Sequence, residues 1–149
     1  MRVRLFFVSM KELKDTQNER DDRNLPIDRV GVKGLRFPVE VSDKDGSVQR
    51  TVATVSLAVD LPHHHKGTHM SRFVEALNSH GRCLDVRTIA GLPREILGRL
   101  EARQAHVEFR FPFFRTKAAP VSGKLGMMDY EVVFEVEAGP DKSIDFVLT

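Results

Sequence analysis

The residues that could do chemistry are concentrated in one short segment, residues 63–73. This segment holds four of the six histidines, together with a lysine, an arginine and two hydroxyl side chains. Its second part, residues 66–73, reads Lys-Gly-Thr-His-Met-Ser-Arg-Phe and opens a predicted helix. Cationic side chains beside the free N–H groups of a helix start form a ready site for a phosphate or a carboxylate. The segment therefore predicts an anion-binding site.

A metal centre is the second interpretation of the same histidines, and their spacing disfavours it. The three histidines at 63–65 are consecutive, so their rings cannot converge on one ion without a contorted backbone. His65 and His69 would share a helical face only if the helix began before Gly67. A zinc site usually needs three protein ligands, and further ones would have to come through tertiary contacts from Cys83, His80 and His106. A polar loop that simply leads into the helix is the third interpretation.

Composition narrows the class of protein. The chain has 149 residues, of which 41% are hydrophobic and 30% charged, as in an ordinary soluble domain. A formal net charge of +2, with basic residues spread along the chain, argues against a nucleic-acid partner. The single cysteine excludes an internal disulfide and suits a reducing cytoplasm. The apolar patch near residue 1 is too short for a secretory signal, and no run approaches the roughly 18 apolar residues of a membrane span. We expect a cytoplasmic protein without a membrane partner.

Alternating polarity predicts a β-hairpin in the first half of the chain. Residues 28–42 alternate loosely between apolar and polar side chains. Residues 48–60 alternate cleanly, and one face carries Ala53, Val55, Leu57 and Val59. Gly46 lies in the Asp-Gly turn between the two segments and can adopt the positive φ that such a turn requires.

Two helices and further strands are predicted to follow. Apolar residues at positions 70, 73, 74 and 77 form one helical stripe, which Thr68 is placed to cap and Gly81 to end. A second helix is predicted to start near Pro93. Alternating strand segments follow at 107–111, 130–136 and 144–148. The predicted fold class is α+β, an antiparallel sheet with two helices packed on one face, in the order ββααββ plus one strand.

Other candidate residues are interpreted structurally. Cys83 has no patterned histidine partner and is expected to be a buried structural thiol. The aromatic and basic run at 109–115 is expected to form strand core and an interface, with single-stranded nucleic-acid binding as the alternative. A solvated acidic face is expected for Glu131, Glu135 and Glu137.

The two ends of the chain carry expectations of their own. Residues 1–25 are expected to form a polar N-terminal arm, and residues 26–149 a single module. The alternation of the last strand continues to Thr149. This favours a polypeptide truncated before a second module, or a strand edge that pairs with another chain.

Three blocks of the sequence resemble one known family. They are Asp15-Thr16-Gln17, the segment from Ile27 through Gly31-Val32-Lys33-Gly34 to Pro38-Val39, and the unusual eight-residue string at 66–73. The chain resembles the N-terminal half of the type IB GTP cyclohydrolase I family, over nearly its whole length. The resemblance implies a tunnelling fold, in which ββααββ modules assemble into a barrel around a central tunnel.

The resemblance also implies a reaction. Family members open the imidazole ring of GTP by hydrolysis at C8, release formate and form 7,8-dihydroneopterin triphosphate, which begins folate and pterin biosynthesis. Their nucleophile is water bound to zinc or a manganese-like divalent ion. The family's metal ligands come from Cys-Pro-Cys and Ala-His-Asn-Gln-Arg motifs, which have no counterpart in this sequence. The resemblance thus implies one module of a two-module, homo-oligomeric enzyme, with no metal held by this chain and no activity of this fragment alone.

Within this resemblance, the helix start is expected to face the substrate. The residues expected to contact the GTP triphosphate, or to position the reacting ring, are Lys66, His69, Ser71 and Arg72. Gln17, with Asp15 nearby, is expected to line the same site. Two alternatives are a non-catalytic module that binds a purine, a pterin or a nucleotide, and an assembly domain whose open strand edges drive oligomers.

Overall fold

The computed structural model describes residues 27–43, 45–61, 68–139 and 144–148. These residues form six strands and three helices. In chain order they are β1 (Ile27–Ser42), β2 (Val48–Leu61), α1 (Met70–His80), β3 (Cys83–Leu84), α2 (Val86–Ile89), α3 (Leu92–Leu100), β4 (Ala105–Ala118), β5 (Leu125–Ala138) and β6 (Ile144–Leu148). The predicted arm at 1–25 lies outside the described residues.

The strands form one sheet in the order β3-β1-β2-β4-β5-β6. All neighbours are antiparallel except β3, which pairs in parallel with β1 at Glu40 and Val41. The predicted antiparallel sheet is confirmed for β1, β2, β4, β5 and β6, whereas the parallel pairing of β3 at this edge was not predicted. The reason is that the chain returns from α1 and reaches β1 with a two-residue strand, which is too short for sequence alternation to reveal.

The core lies between the sheet and the two longer helices, α1 and α3, as the α+β prediction required. The alternating face of β2 is buried, which confirms the inward orientation of Ala53, Val55, Leu57 and Val59. Burying an aliphatic or aromatic side chain contributes about 1.5–3 kcal/mol, so this single interface dominates stability. The helices contribute the fully buried side chains Phe73, Leu77, Leu92 and Ile96.

The residues predicted to mark turns and helix ends are confirmed, with one correction at the start of α1. Gly46 and Gly81 both adopt positive φ, at 83° and 91°. Pro93 lies in the first turn of α3. The N-cap of α1 is His69, with an extended backbone at φ −78° and ψ 102°, so the predicted cap Thr68 lies one residue too early. Thr68 has the side chain that N-cap preferences favour, but the backbone changes from extended to helical at His69.

The segment between α1 and α3 holds two features that differ from the expectations. Cys83 is exposed, which corrects the buried-thiol prediction. Since side chains alternate across a strand, the burial of Leu84 turns its neighbour outward. The short helix α2 was not predicted. It is held by a capping box in which the Asp85 side chain accepts from the N–H groups of Arg87 and Thr88, both at 2.7 Å.

Strands β4 and β5 form a hairpin that continues past the end of the backbone pairing between β2 and β4. Their pairing runs without a shift from Ala105↔Ala138 to Ala118↔Leu125. Pairing of β2 with β4 ends much earlier, at Thr54↔Arg110. We call residues 111–132 the distal hairpin. In the described part of the chain, no helix is long and apolar enough to cross a membrane.

Candidate functional site

The candidate site is the start of α1, where the predicted anion-binding residues lie. Three of the five predicted site residues are described, and they share the first turn: His69 is the N-cap, with Ser71 and Arg72 following. Ser71 is exposed, whereas His69 and Arg72 are partly buried. Lys66 and Gln17 lie outside the described residues, so their expected roles stay predictions.

The electrostatics of this helix start suit an anion. The first turn, Met70 to Arg72, carries no acidic residue, and α1 has eleven residues, so its N-terminal end bears the positive pole of a full helix dipole. The backbone N–H of Arg72 donates to the carbonyl oxygen of His69 at 3.1 Å. The N–H groups at positions 70 and 71 have no carbonyl oxygen four residues earlier within the helix, so their acceptors must come from outside it.

Arg72 has a structural partner that the sequence did not reveal. Its Nη1 donates to the carbonyl oxygen of Arg99 at 2.8 Å, in the last turn of α3. A cation at a helix C-terminus is favourable because it meets the negative pole and an otherwise unpaired carbonyl. The guanidinium thus ties the start of α1 to the end of α3. An arginine has five N–H donors, so this bond leaves most of them available to a ligand.

The seam between α1 and α3 is reinforced around Arg99. The Arg99 side chain donates to Glu95 Oε1 from Nε at 3.0 Å and from Nη2 at 2.8 Å. Its Nη2 also donates to Ser79 Oγ on α1 at 2.8 Å. These contacts are partly exposed and each adds a few tenths of a kcal/mol. Arg99 thus contacts α1 twice, through its side chain at Ser79 and through its backbone carbonyl oxygen at Arg72.

A polar cavity of about 150 Å³ lies at the end of the sheet where β2 finishes. In its wall, Glu137 Oε1 accepts from Arg29 Nη2 at 2.7 Å and lies 2.8 Å from His106 Nδ1. Asp60 Oδ1 accepts the backbone N–H of Gln104 at 2.7 Å. The alternation of β5 predicted a solvated face for Glu137, and its side chain is half-exposed. The partnership with His106 follows from the β4–β5 register, in which the two residues are directly opposite.

The described residues do not fit a metal centre. Among them, no group of three or more His, Cys, Asp or Glu side chains is close enough to hold an ion. The histidines at 63–65 lie outside the described residues.

With this geometry established, comparison with known proteins identifies the family. The model of the family described as "Type I GTP cyclohydrolase folE2" matches residues 13–149. The chain belongs to the type I GTP cyclohydrolase folE2 family. The match includes the start of α1 and every described strand and helix.

Individual folE2 relatives support this membership. The chain is 64% identical over 141 residues to a GTP cyclohydrolase FolE2 from Akkermansia muciniphila, which covers 94% of this chain and 53% of the relative. It is 48% identical over 136 residues to a GTP cyclohydrolase FolE2 from Azoarcus sp., covering 91% of this chain and 51% of that protein. The chain spans about half the length of the curated relatives it matches.

Proposed function

We propose that this chain is the N-terminal module of a type IB GTP cyclohydrolase I. The complete enzyme opens the imidazole ring of GTP by hydrolysis, releases formate and yields 7,8-dihydroneopterin triphosphate at the start of folate and pterin biosynthesis. The observation that carries the proposal is the 64% identity to a GTP cyclohydrolase FolE2 over nearly the whole chain. The length of that relative, about twice the matched region, supports a two-module arrangement. The cysteine usage supports a cytoplasmic location.

In this proposal, the start of α1 binds the triphosphate of GTP. The positive helix pole and the remaining donors of Arg72 favour an anion of high charge. The exposed Ser71 hydroxyl adds a donor in the same turn. Lys66, His69 and Gln17 complete the proposed set, and the triphosphate would hold the purine ring in place for the reaction. We propose that the divalent metal of the complete enzyme is bound by residues of the second module.

The activity is tested on two proteins, the chain alone and a version extended by the remaining half of the A. muciniphila relative. Each is incubated with GTP and zinc or manganese, and formate release is measured. We expect formate from the extended version and none from the chain alone. A folded, metal-loaded extended version that releases no formate would show that the proposed reaction is wrong. GTP binding by calorimetry with no turnover in either protein would favour the alternative, a nucleotide-binding assembly module.

The role of the helix start is tested in the extended version by Lys66→Ala and Arg72→Lys. Each is expected to raise the Michaelis constant for GTP about tenfold, since a charged hydrogen bond to phosphate is lost or weakened. Arg72→Lys keeps a positive charge on α1 that can still reach the carbonyl oxygen of Arg99 at the end of α3. The variant therefore retains part of the structural contact. The matched control is Arg94→Ala, because Arg94 is an exposed arginine in the first turn of α3. An equal effect in the control would mean that general charge, and not this site, attracts GTP.

A further inference from the structure

A mostly apolar groove of about 510 Å³ lies on the core side of the distal hairpin. The buried Phe111 and Phe134 form part of its wall and meet edge to face, with ring centroids 5.4 Å apart. Because side chains alternate across a strand, Phe113 and Tyr130 lie on the same side of the sheet and continue this wall. The groove thus has aromatic walls and a volume within the range of small-molecule sites, about 300–1,000 Å³.

Two cationic side chains line the distal part of this groove. Lys117 Nζ lies 5.9 Å from the centroid of the Tyr130 ring, and Lys117 has no carboxylate partner among the described residues. Arg115 Nε lies 3.8 Å from Asp43 Oδ2, which is too far for a hydrogen bond. Both cations therefore keep donors that a ligand in the groove can use.

The acidic residue of the groove does not neutralise this charge. Among the residues that line the groove, Glu131 is the single acid. Its Oε1 accepts a hydrogen bond from Arg110 Nη1 at 3.1 Å, so its charge is already paired with an arginine outside the groove. The groove is therefore apolar and electropositive.

We propose that this groove binds a small planar aromatic molecule that carries a carboxylate. The ring of the ligand packs against Phe113 and Tyr130, and Lys117 Nζ donates to the carboxylate. An aliphatic ligand would not use the ring faces, and a neutral one would leave the lysine without a charged partner. The proposal is independent of the GTP site, because the groove and the start of α1 have no residue in common.

Binding is tested by calorimetric titration of the whole chain with two probes of the same ring system, naphthalene-2-carboxylate and the uncharged naphthalene-2-methanol. We expect a dissociation constant of about 1 mM or tighter for the carboxylate. The alcohol is expected to bind about tenfold more weakly, since it cannot form the charged hydrogen bond. Tyr130 is the single tyrosine of the chain, so labelling tyrosine rings with ¹³C gives one set of NMR signals, which the bound probe must shift.

Lys117→Met separates the charge from the ring contacts, because methionine keeps an apolar stem without the ammonium group. It is expected to raise the dissociation constant of the carboxylate about tenfold and to change that of the alcohol less than about twofold. The matched control is Lys33→Met, because Lys33 is an exposed lysine on β1 that does not line the groove. The control should leave the binding of both probes unchanged.

Phe113→Ala tests the ring contacts and is expected to weaken the binding of both probes about tenfold. Its control is Phe114→Ala, because the neighbouring Phe114 side chain points to the opposite side of β4. Circular dichroism melting establishes whether each variant is folded. Lys117 is exposed, so Lys117→Met still decides the test if Phe113→Ala does not fold.

Three outcomes would overturn the proposal. The first is the absence of saturable binding of naphthalene-2-carboxylate at every soluble concentration, which is also the result if another copy of the chain occupies the groove. The second is saturable binding that leaves the Tyr130 signals unmoved. The third is a Lys117→Met variant that binds the carboxylate as tightly as the original chain. Selective loss of carboxylate binding in Lys117→Met, together with shifted Tyr130 signals, supports the proposal.

Discussion

The side chain of Gln49 replaces a backbone pairing with Phe114. Its Nε2 donates to the carbonyl oxygen of Phe114 at 2.6 Å, and its Oε1 accepts the Phe114 N–H at 3.0 Å. Backbone pairing of β2 with β4 ends at Thr54↔Arg110, so the two strands have already separated at this level. An amide side chain has the same donor and acceptor as a peptide group and can therefore bridge the gap. Gln49 thus anchors the base of the distal hairpin to β2.

Gln49→Ala is expected to destabilise the fold by about 1 kcal/mol, because two hydrogen bonds to the backbone of one residue, Phe114, are lost at a partly exposed position. The measurement is urea unfolding followed by circular dichroism. Gln49→Glu is the informative comparison, since a carboxylate can still accept the Phe114 N–H but cannot donate to its carbonyl. A Glu variant as stable as the original chain would contradict the donor half of this bridge.

Gly31 is predicted to be required by close contact between β1 and β2. A Cβ at this position would lie against the carbonyl oxygen of Leu57 and 2.6 Å from the Cα of Ala58. Because these are backbone atoms of the paired strand, they cannot move aside cheaply, and Gly31→Ala is expected to cost about 3 kcal/mol or more. Gly98→Ala is the control, since it meets open space within α3 and should stabilise by about 0.5–1 kcal/mol. Thermal melting of both variants tests this prediction. Similar melting temperatures for Gly31→Ala and Gly98→Ala would count against the proposed contact.

Asp85 is predicted to make stability depend on acid pH. The Thr88 N–H, followed by that of Arg87, holds the pKa of Asp85 below its usual range. A lowered carboxyl pKa means that the folded state binds protons less readily, so this contribution is present above the unfolded pKa and is lost as pH falls through the folded one. Asp85→Ala should cost about 1 kcal/mol at neutral pH. Asp85→Asn should keep the cap and remove its pH dependence, which unfolding titrations at neutral and acid pH would show.

His80 is predicted to weaken the fold as pH falls through the mildly acid range. Burial lowers the pKa of His80 below the ordinary value of 6.5, against the raising effects of Glu95 and Asp85. The unfolded chain therefore takes up a proton first, and stability present above pH 6.5 is lost as the solution becomes more acid. Between about pH 8 and about pH 5, the melting temperature of His80→Gln should fall less than that of the original chain. Equal losses in the two proteins would assign the acid sensitivity to other groups.

Much of the fold could be predicted because its signals are local. The clean alternation of β2 reports directly which side chains face the core, and Pro93 and Gly46 mark backbone conformations that few residues favour. The string at 66–73 likewise indicated a helix start with basic and hydroxyl groups, and the structure begins α1 at Met70. These inferences need only neighbours a few positions apart.

The tertiary structure decided which side chains contact each other. The opposition of His106 and Glu137 depends on the β4–β5 register, and the bond from Arg72 to Arg99 depends on how two helices pack. Burial of Leu84, with exposure of Cys83, depends on a short parallel pairing with β1. Amino-acid types and periodicity determined which residues could fold inward and which could carry charge. Packing and register, which join residues distant in the chain, determined what those charges meet.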